Sequence, residues 1–115
     1  VTVTHASSPD ELLDAVAPHV PETVTATSSG GGFLETTAAG VDKGSTLAAF
    51  ADQRGISSAE VMTFGDHQND LTMLRWSGTG VAMANGHADV LEVADVYAPS
   101  NVDHGVARVI DALLR

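Results

Sequence analysis

Cysteine is absent from the 115-residue chain, which excludes disulfide bonds, zinc ribbons, iron–sulfur centres and thiol nucleophiles. Basic residues are also scarce: 5 lysines and arginines stand against 15 acidic residues, and the formal net charge is -10. Nucleic acids and anionic membrane surfaces attract clustered Lys and Arg, so we expect neither a nucleic-acid partner nor a membrane partner. No apolar run reaches the roughly 18 residues that a transmembrane helix requires.

The composition is otherwise that of a folded globular protein, with 43% hydrophobic and 17% charged residues. The length corresponds to one domain with one core. The chain begins at Val1, with neither a methionine nor a basic-then-apolar leader, which indicates a processed chain or a piece of a longer one. The lack of cysteine fits a cytoplasmic protein, and we expect that location.

Two kinds of pattern divide the chain near residue 38. The first part contains a short strand, a helix that begins near Ser8, and a hairpin predicted from residues 23–28 and 33–37 around three glycines. The second part alternates helices, predicted at 43–54, 69–76, 87–94 and 102–114, with short apolar strands at 60–64, 80–84 and 96–98. This alternation predicts an α/β fold whose parallel sheet is covered on both faces.

The loop that follows the first of these apolar strands is unusually polar. It reads Gly-Asp-His-Gln-Asn-Asp, with Asp66 at the strand tip and Asn69 and Asp70 at the start of the next helix. Ligands bind at the carboxyl ends of parallel strands, and a hard cation such as Mg²⁺ prefers oxygen ligands. Taken alone, the loop equally fits helix capping, because Asn and Asp are favoured there.

Two more polar positions are expected near this loop. Lys43, the only lysine, lies at a predicted helix start, where a cation is unfavourable unless an anion such as phosphate is held there. The segment Asn85-Gly86-His87 follows the next apolar strand, so its polar groups point to the same sheet edge as Asp66. A surface lysine and an ordinary Asn-Gly turn are the alternatives, and the hypothesis of a site depends on this convergence.

Four short segments follow one another along the chain: Val41-Asp42-Lys43-Gly44, Gly65-Asp66-x-x-Asn69-Asp70, Gly80-Val81-Ala82-Met83-Ala84-Asn85, and Asn101-x-Asp103-x-Gly105-Val106. In this order and spacing they resemble the carboxyl-terminal half of a haloacid dehalogenase-like phosphatase of the Cof type. The resemblance covers about residues 33 to 115. It implies a Rossmann-like parallel-sheet core at 39–115, preceded by the end of an inserted α+β cap at 1–38.

The resemblance also implies a chemistry, the Mg²⁺-dependent hydrolysis of a phosphate monoester. By motif, Lys43 would neutralise the nucleophile and the phosphate, and Asp66 would ligate Mg²⁺. Asn69 and Asn85 would contact the phosphate, and Asp70 would support the site from behind. His67 falls in a variable position of the motif and is expected to be a solvated loop histidine. The substrates would be small phosphorylated metabolites.

One part of the family pattern is missing from the sequence. A strand ending in Asp-x-Asp-Gly-Thr, which would carry the nucleophile and the general acid, does not occur, and no other Asp-x-Asp is present. The resemblance therefore implies a fragment that is inactive alone. Without that strand the apolar segment Val61–Phe64 would leave an open sheet edge, so we expect the chain to associate with itself or with a partner segment.

Two other functional hypotheses stay open at this point. The chain could be a non-catalytic phosphate-binding or regulatory module that keeps the fold, in which case phosphate would bind without Mg²⁺. It could also have a purely structural or assembly role, which would go with a stable oligomer that binds neither phosphate nor metal. A phosphoreceiver domain is disfavoured, because its acidic pair would come early and its lysine late in the chain.

Overall fold

The computed structural model describes residues 2–4, 8–30 and 33–115. Val1 and the glycines at 31 and 32, which the sequence assigns to a strand and a turn, lie outside this part. The described strands are β1 (Thr2–Thr4), β2 (Val24–Gly30), β3 (Phe33–Ala38), β4 (Met62–Gly65), β5 (Thr79–Met83) and β6 (Val96–Ala98). The described α-helices are α1 (Pro9–Val16), α2 (Lys43–Asp52), α3 (Leu71–Trp76), α4 (Ala88–Val93) and α5 (Gly105–Leu113). None of these helices is both long enough and apolar enough to cross a membrane.

The first sheet is antiparallel and has β3 at its centre, in the order β1-β3-β2. The predicted hairpin is confirmed: β2 and β3 pair with Thr25 opposite Thr37 and Thr27 opposite Glu35. Side chains alternate between the two faces of a strand, and directly paired residues share a face. These four side chains therefore lie on one face of the hairpin.

The second sheet is parallel, in the order β4-β5-β6, and its central strand holds the core. On one face of β5, Ala82 packs with Leu74 of α3 and Val90 of α4. On the other face, Val81 and Met83 pack with Ala98, and the partly buried residues around them include Met62, Phe64 and Val109. The prediction of an α/β fold with a parallel sheet covered on both faces is confirmed.

The predicted boundaries are wrong at the entrance to β4 and at the start of α3. Residues Ser58–Glu60 form a turn of 3₁₀ helix, and β4 begins only at Met62. The cause is a capping box, in which the backbone N–H of Ser57 donates to Glu60 Oε2 at 3.0 Å. A second 3₁₀ turn, Gln68–Asp70, precedes α3. It is also capped, because the side chain of Asp70 accepts the backbone N–H of His67.

Helices α2 and α3 pack closely where α2 begins. A Cβ at Gly44 would lie 2.6 Å from the carbonyl carbon and oxygen of Thr72, so only glycine permits this approach. The backbone N–H of Gly44 donates to Thr72 Oγ1 at 3.1 Å. The contact brings the first turn of α2, and with it Lys43, up to the loop that follows β4.

Candidate functional site

Asp70 is the centre of the loop between β4 and α3. Its residue is only 4% exposed, and both carboxylate oxygens are engaged. Oδ2 accepts the backbone N–H groups of Asp66 at 2.9 Å and His67 at 3.2 Å, and Oδ1 accepts a hydrogen bond from Lys43 Nζ. One buried carboxylate thus fixes the loop backbone and binds the ammonium group that α2 brings to it.

Lys43 is the first residue of α2, and its side chain is 48% exposed. A lysine ammonium has three donors, and Asp70 accepts one of them. The side chain is half exposed, so an anion can reach the other two. The pair therefore holds the ammonium in place without burying it, which is the arrangement that a phosphate-binding lysine needs.

Three backbone donors at the start of α2 are already used. The N–H of Asp42 donates to Ser45 Oγ at 3.0 Å, and the N–H of Ser45 donates to Asp42 Oδ1 at 2.8 Å. Thr72 Oγ1 also donates to Asp42 Oδ1, at 2.9 Å. Since the N–H of Gly44 is bound to Thr72 as well, few backbone amides are left for an anion at this end of α2, and the side chain of Lys43 is its main donor.

The hydrogen bonds that the carboxylate of Asp42 accepts, above all the one from the backbone N–H of Ser45, hold the pKa of Asp42 below its ordinary value. A lowered folded-state pKa means that the charged form adds stability above the unfolded-state pKa, and that this stability is lost as the pH falls. We therefore expect Asp42→Asn, which keeps an acceptor at the cap, to be less stable than wild type at pH 7. The difference should shrink below about pH 4. Urea unfolding at both pH values measures it, and a difference independent of pH would contradict the assignment.

Asn69 lies in the same loop and faces the hairpin. Its Nδ2 donates to Oε2 of Glu35 at 3.1 Å, and both residues are half-buried. A cavity of about 480 Å³ lies between the hairpin face and the starts of α2 and α3, and Glu35, Lys43 and Asn69 are among its lining residues. The ammonium of Lys43 and the carboxamide of Asn69 therefore border one space.

The loop after β5 is joined to the loop after β4. The backbone N–H of His87 donates to the carbonyl of Asp66 at 2.8 Å. A Cβ at Gly86 would lie 2.9 Å from the carbonyl oxygen of Met83 and 3.3 Å from that of Asp66. These distances leave little room for a Cβ at this position.

Hydrogen bonds connect four of the five predicted site residues. Lys43, Asp66 and Asn69 are connected through Asp70 and its loop. Asn85 has another contact: its Oδ1 accepts the backbone N–H of Asn101 at 3.0 Å. No hydrogen bond among the described residues links the side chain of Asn85 to those of Lys43 or Asn69.

Sequence reasoning misjudged one residue of the loop and missed two residues outside it. The prediction that His67 is a solvated loop histidine is wrong: it is half-buried, and its Nδ1 lies 3.2 Å from the carbonyl oxygen of Ser28. Glu35 and Thr72 were missed. No local sequence signal marks either residue, because each acts on a segment about 30 positions away.

For Mg²⁺, the described residues offer a partial fit. Asp66 is exposed, and none of its carboxylate oxygens is engaged in a described hydrogen bond or ion pair. Asp70 has no free oxygen, and the described part of the chain holds no cluster of three or more His, Cys, Asp or Glu suited to a metal. Mg²⁺ keeps several waters and binds through one or two carboxylates and the substrate phosphate. Asp66 therefore fits the role of one ligand, and the remaining ligands must come from elsewhere.

Comparison with known proteins points to one class of protein. A family model described as haloacid dehalogenase-like hydrolase matches residues 1–110. "Putative phosphatase YxeH" of Bacillus subtilis (strain 168) is 41% identical over 103 residues, which are 90% of this chain and 38% of that protein. Phosphoglycolate phosphatase of Archaeoglobus fulgidus is 41% identical over 75 residues, 65% of this chain and 34% of that protein.

A solved structure agrees with these relatives. SMU.1108c from Streptococcus mutans UA159 superposes with a TM-score of 0.83 at 32% sequence identity, covering 91% of this chain and 40% of that one. The chain thus spans about two fifths or less of the length of the proteins that it matches. The fold is therefore shared over nearly all of this chain.

Proposed function

The chain belongs to the haloacid dehalogenase-like hydrolase family, and on that basis we propose that it supplies the phosphate-binding side of a Mg²⁺-dependent phosphomonoester hydrolase. In this proposal residues 1–38 are the end of a cap, and residues 39–115 belong to the catalytic core. The observation that carries it is the carboxylate of Asp70, which binds the half-exposed ammonium of Lys43 and also accepts the backbone N–H of Asp66. The phosphatases among its relatives support the same reaction class.

Four side chains have roles in the proposed reaction. Lys43 binds a phosphoryl oxygen and reduces the negative charge that an attacking carboxylate must approach. Asn69 donates to a second phosphoryl oxygen, and Asp70 holds Lys43 and the loop in position. Asp66 is a ligand for Mg²⁺, which would supply further charge neutralisation at the phosphate.

The attacking carboxylate of the proposal belongs to an Asp-x-Asp-Gly-Thr strand that the 115 residues do not contain. It would attack phosphorus, form an aspartyl-phosphate and release the alcohol. We therefore expect the chain alone to bind phosphate without hydrolysing its esters. Small phosphorylated metabolites of the cytoplasm are the substrate class, and the phosphoglycolate phosphatase among the relatives supports that choice.

Phosphate binding tests the proposal directly on this chain. In a ¹⁵N NMR titration with inorganic phosphate and Mg²⁺, we expect shifts at the Asn69 side-chain amide and at the residues around Lys43. Binding that is unchanged without Mg²⁺, together with no hydrolysis once a nucleophile strand is joined to the chain, would favour the non-catalytic binding module instead. Shifts confined to other parts of the chain, or no shifts at all, would contradict the site.

Self-association is a separate part of the proposal. In the described sheet β4 pairs only with β5, so one edge of its backbone is unpaired. Unpaired edges of apolar strands pair readily with other chains. We expect sedimentation velocity to show species larger than the 11.8 kDa monomer. A single monomer boundary, accompanied by a cooperative thermal unfolding transition, would contradict this expectation.

A further inference from the structure

We propose that Glu35 is a positioning residue for Asn69, an inference that rests on the proposed function. The geometry points to it: Glu35 belongs to the hairpin, outside every motif that the sequence offered, and its Oε2 accepts a hydrogen bond from Asn69 Nδ2 at 3.1 Å. The contact joins the hairpin to the loop that holds the phosphate-binding residues.

The chemistry of the two groups makes this contact directional. A carboxylate only accepts hydrogen bonds, whereas a carboxamide has a donating nitrogen and an accepting oxygen. Glu35 therefore selects the orientation in which the nitrogen of Asn69 faces the cavity lined by both residues. One N–H is bound to Glu35, and the second remains for a phosphoryl oxygen. The opposite orientation would place the amide oxygen against a carboxylate.

The backbone is held in place on both sides of the contact. Glu35 lies on β3, the central strand, which is paired on both sides with β1 and β2. The backbone on the other side is held by the hydrogen bonds to Asp70, so the side-chain torsions of Asn69 are its main remaining freedom. His67 contacts the same hairpin through the carbonyl of Ser28 at 3.2 Å, which fixes the spacing between hairpin and loop.

Charge provides the competing effect, and the two effects have opposite signs. A carboxylate near a phosphate dianion repels it, so removing Glu35 could strengthen binding if repulsion dominated. Glu35→Gln separates the effects, because Gln removes the charge and keeps an oxygen acceptor for Asn69. If positioning dominates, the Gln variant binds phosphate at least as well as wild type, and the Ala variant binds it less well.

The experiment measures inorganic phosphate affinity and the Asn69 side-chain amide resonances by ¹⁵N NMR in the 115-residue chain. For Glu35→Ala we expect Kd to rise roughly 3- to 10-fold, the effect of one net hydrogen bond, and the downfield shift of one Nδ2 proton to be lost. Glu35→Gln should restore both within about twofold. Glu22→Gln removes the same charge from an exposed turn and serves as the control.

A double-mutant cycle separates positioning from a merely structural role. If Glu35 acts only through Asn69, adding Glu35→Ala to Asn69→Ala should change the phosphate Kd less than about twofold. Multiplying effects, or an Ala variant that binds phosphate as well as or better than wild type, would overturn the proposal. If the wild-type chain binds no phosphate, the proposed function fails, and the Asn69 amide resonances still decide whether Glu35 orients the carboxamide.

Discussion

Lys43→Ala is expected to raise the Kd for inorganic phosphate by about 10- to 100-fold, the effect of removing one charge-assisted hydrogen bond. The loss should be this large because the backbone N–H groups of Asp42, Gly44 and Ser45 are all bound within the protein. The helix terminus therefore has few backbone donors that could replace the ammonium. Isothermal titration with phosphate in the presence of Mg²⁺ measures the change.

The corresponding effect on catalysis should be larger. In a form in which these residues are joined to a strand with the Asp-x-Asp-Gly-Thr sequence, we expect turnover of p-nitrophenyl phosphate to fall roughly 10²- to 10³-fold. Arg108→Ala removes one positive charge from the exposed surface of α5 and is the matched control. A Lys43→Ala enzyme that retains most of its activity, or an equal loss in the control, would refute the role assigned to Lys43.

The second large effect concerns stability and separates the two aspartates of the loop. Asp70→Ala leaves the part-buried N–H groups of Asp66 and His67 without their acceptor, at roughly 1–2 kcal/mol for each. The ion pair adds little to this figure, because the ammonium of Lys43 is half exposed. We expect the free energy of unfolding to fall by about 2–4 kcal/mol, which corresponds to a decrease in Tm of roughly 10 °C. Asp70→Asn, which keeps an acceptor, should lose less.

Asp66→Ala is the comparison that gives this prediction its meaning. The side chain is exposed and makes no described hydrogen bond, so its removal should change the free energy of unfolding by less than about 0.5 kcal/mol. In the catalytically complete form, the same variant should lose the Mg²⁺ dependence of turnover together with most of the turnover. Thermal unfolding should therefore separate the two variants, because only Asp70→Ala is expected to lower the free energy of unfolding substantially. Equal destabilisation by both would show that the carboxylates do not divide these roles.

Much of the architecture could be predicted from local patterns in the sequence. The alternation of apolar strands and helices after Lys43 predicts the parallel sheet, because strands buried on both faces must be apolar throughout. The glycines between residues 23–28 and 33–37 predict the hairpin, which β2 and β3 confirm. The entrance to β4 was placed too early because Glu60 was assigned to the strand. The Ser57-x-x-Glu60 spacing is itself a capping signal that could have corrected it.

The site itself could be predicted only in part, for a physical reason. Local sequence shows which polar residues stand at strand ends and helix starts, and on that basis Lys43, Asp66 and Asn69 are candidates. It does not show which side chains already have partners in the folded chain. The bonds from Thr72 to Asp42 and from Asn69 to Glu35 join positions 30 and 34 residues apart. They form only where α3 packs against the start of α2 and the hairpin packs against the Gln68–Asp70 turn.

The bond between His87 and Asp66, together with the tight fit at Gly86, has a consequence for engineering. Two neighbouring connections of the parallel sheet are assembled as a unit, each restricting the backbone path of its neighbour. A scaffold that received only the Gly-Asp-x-x-Asn-Asp connection would lack the backbone donor that holds the carbonyl of Asp66. Transplanting the proposed anion site into another parallel sheet therefore requires both connections and the glycine at which they meet.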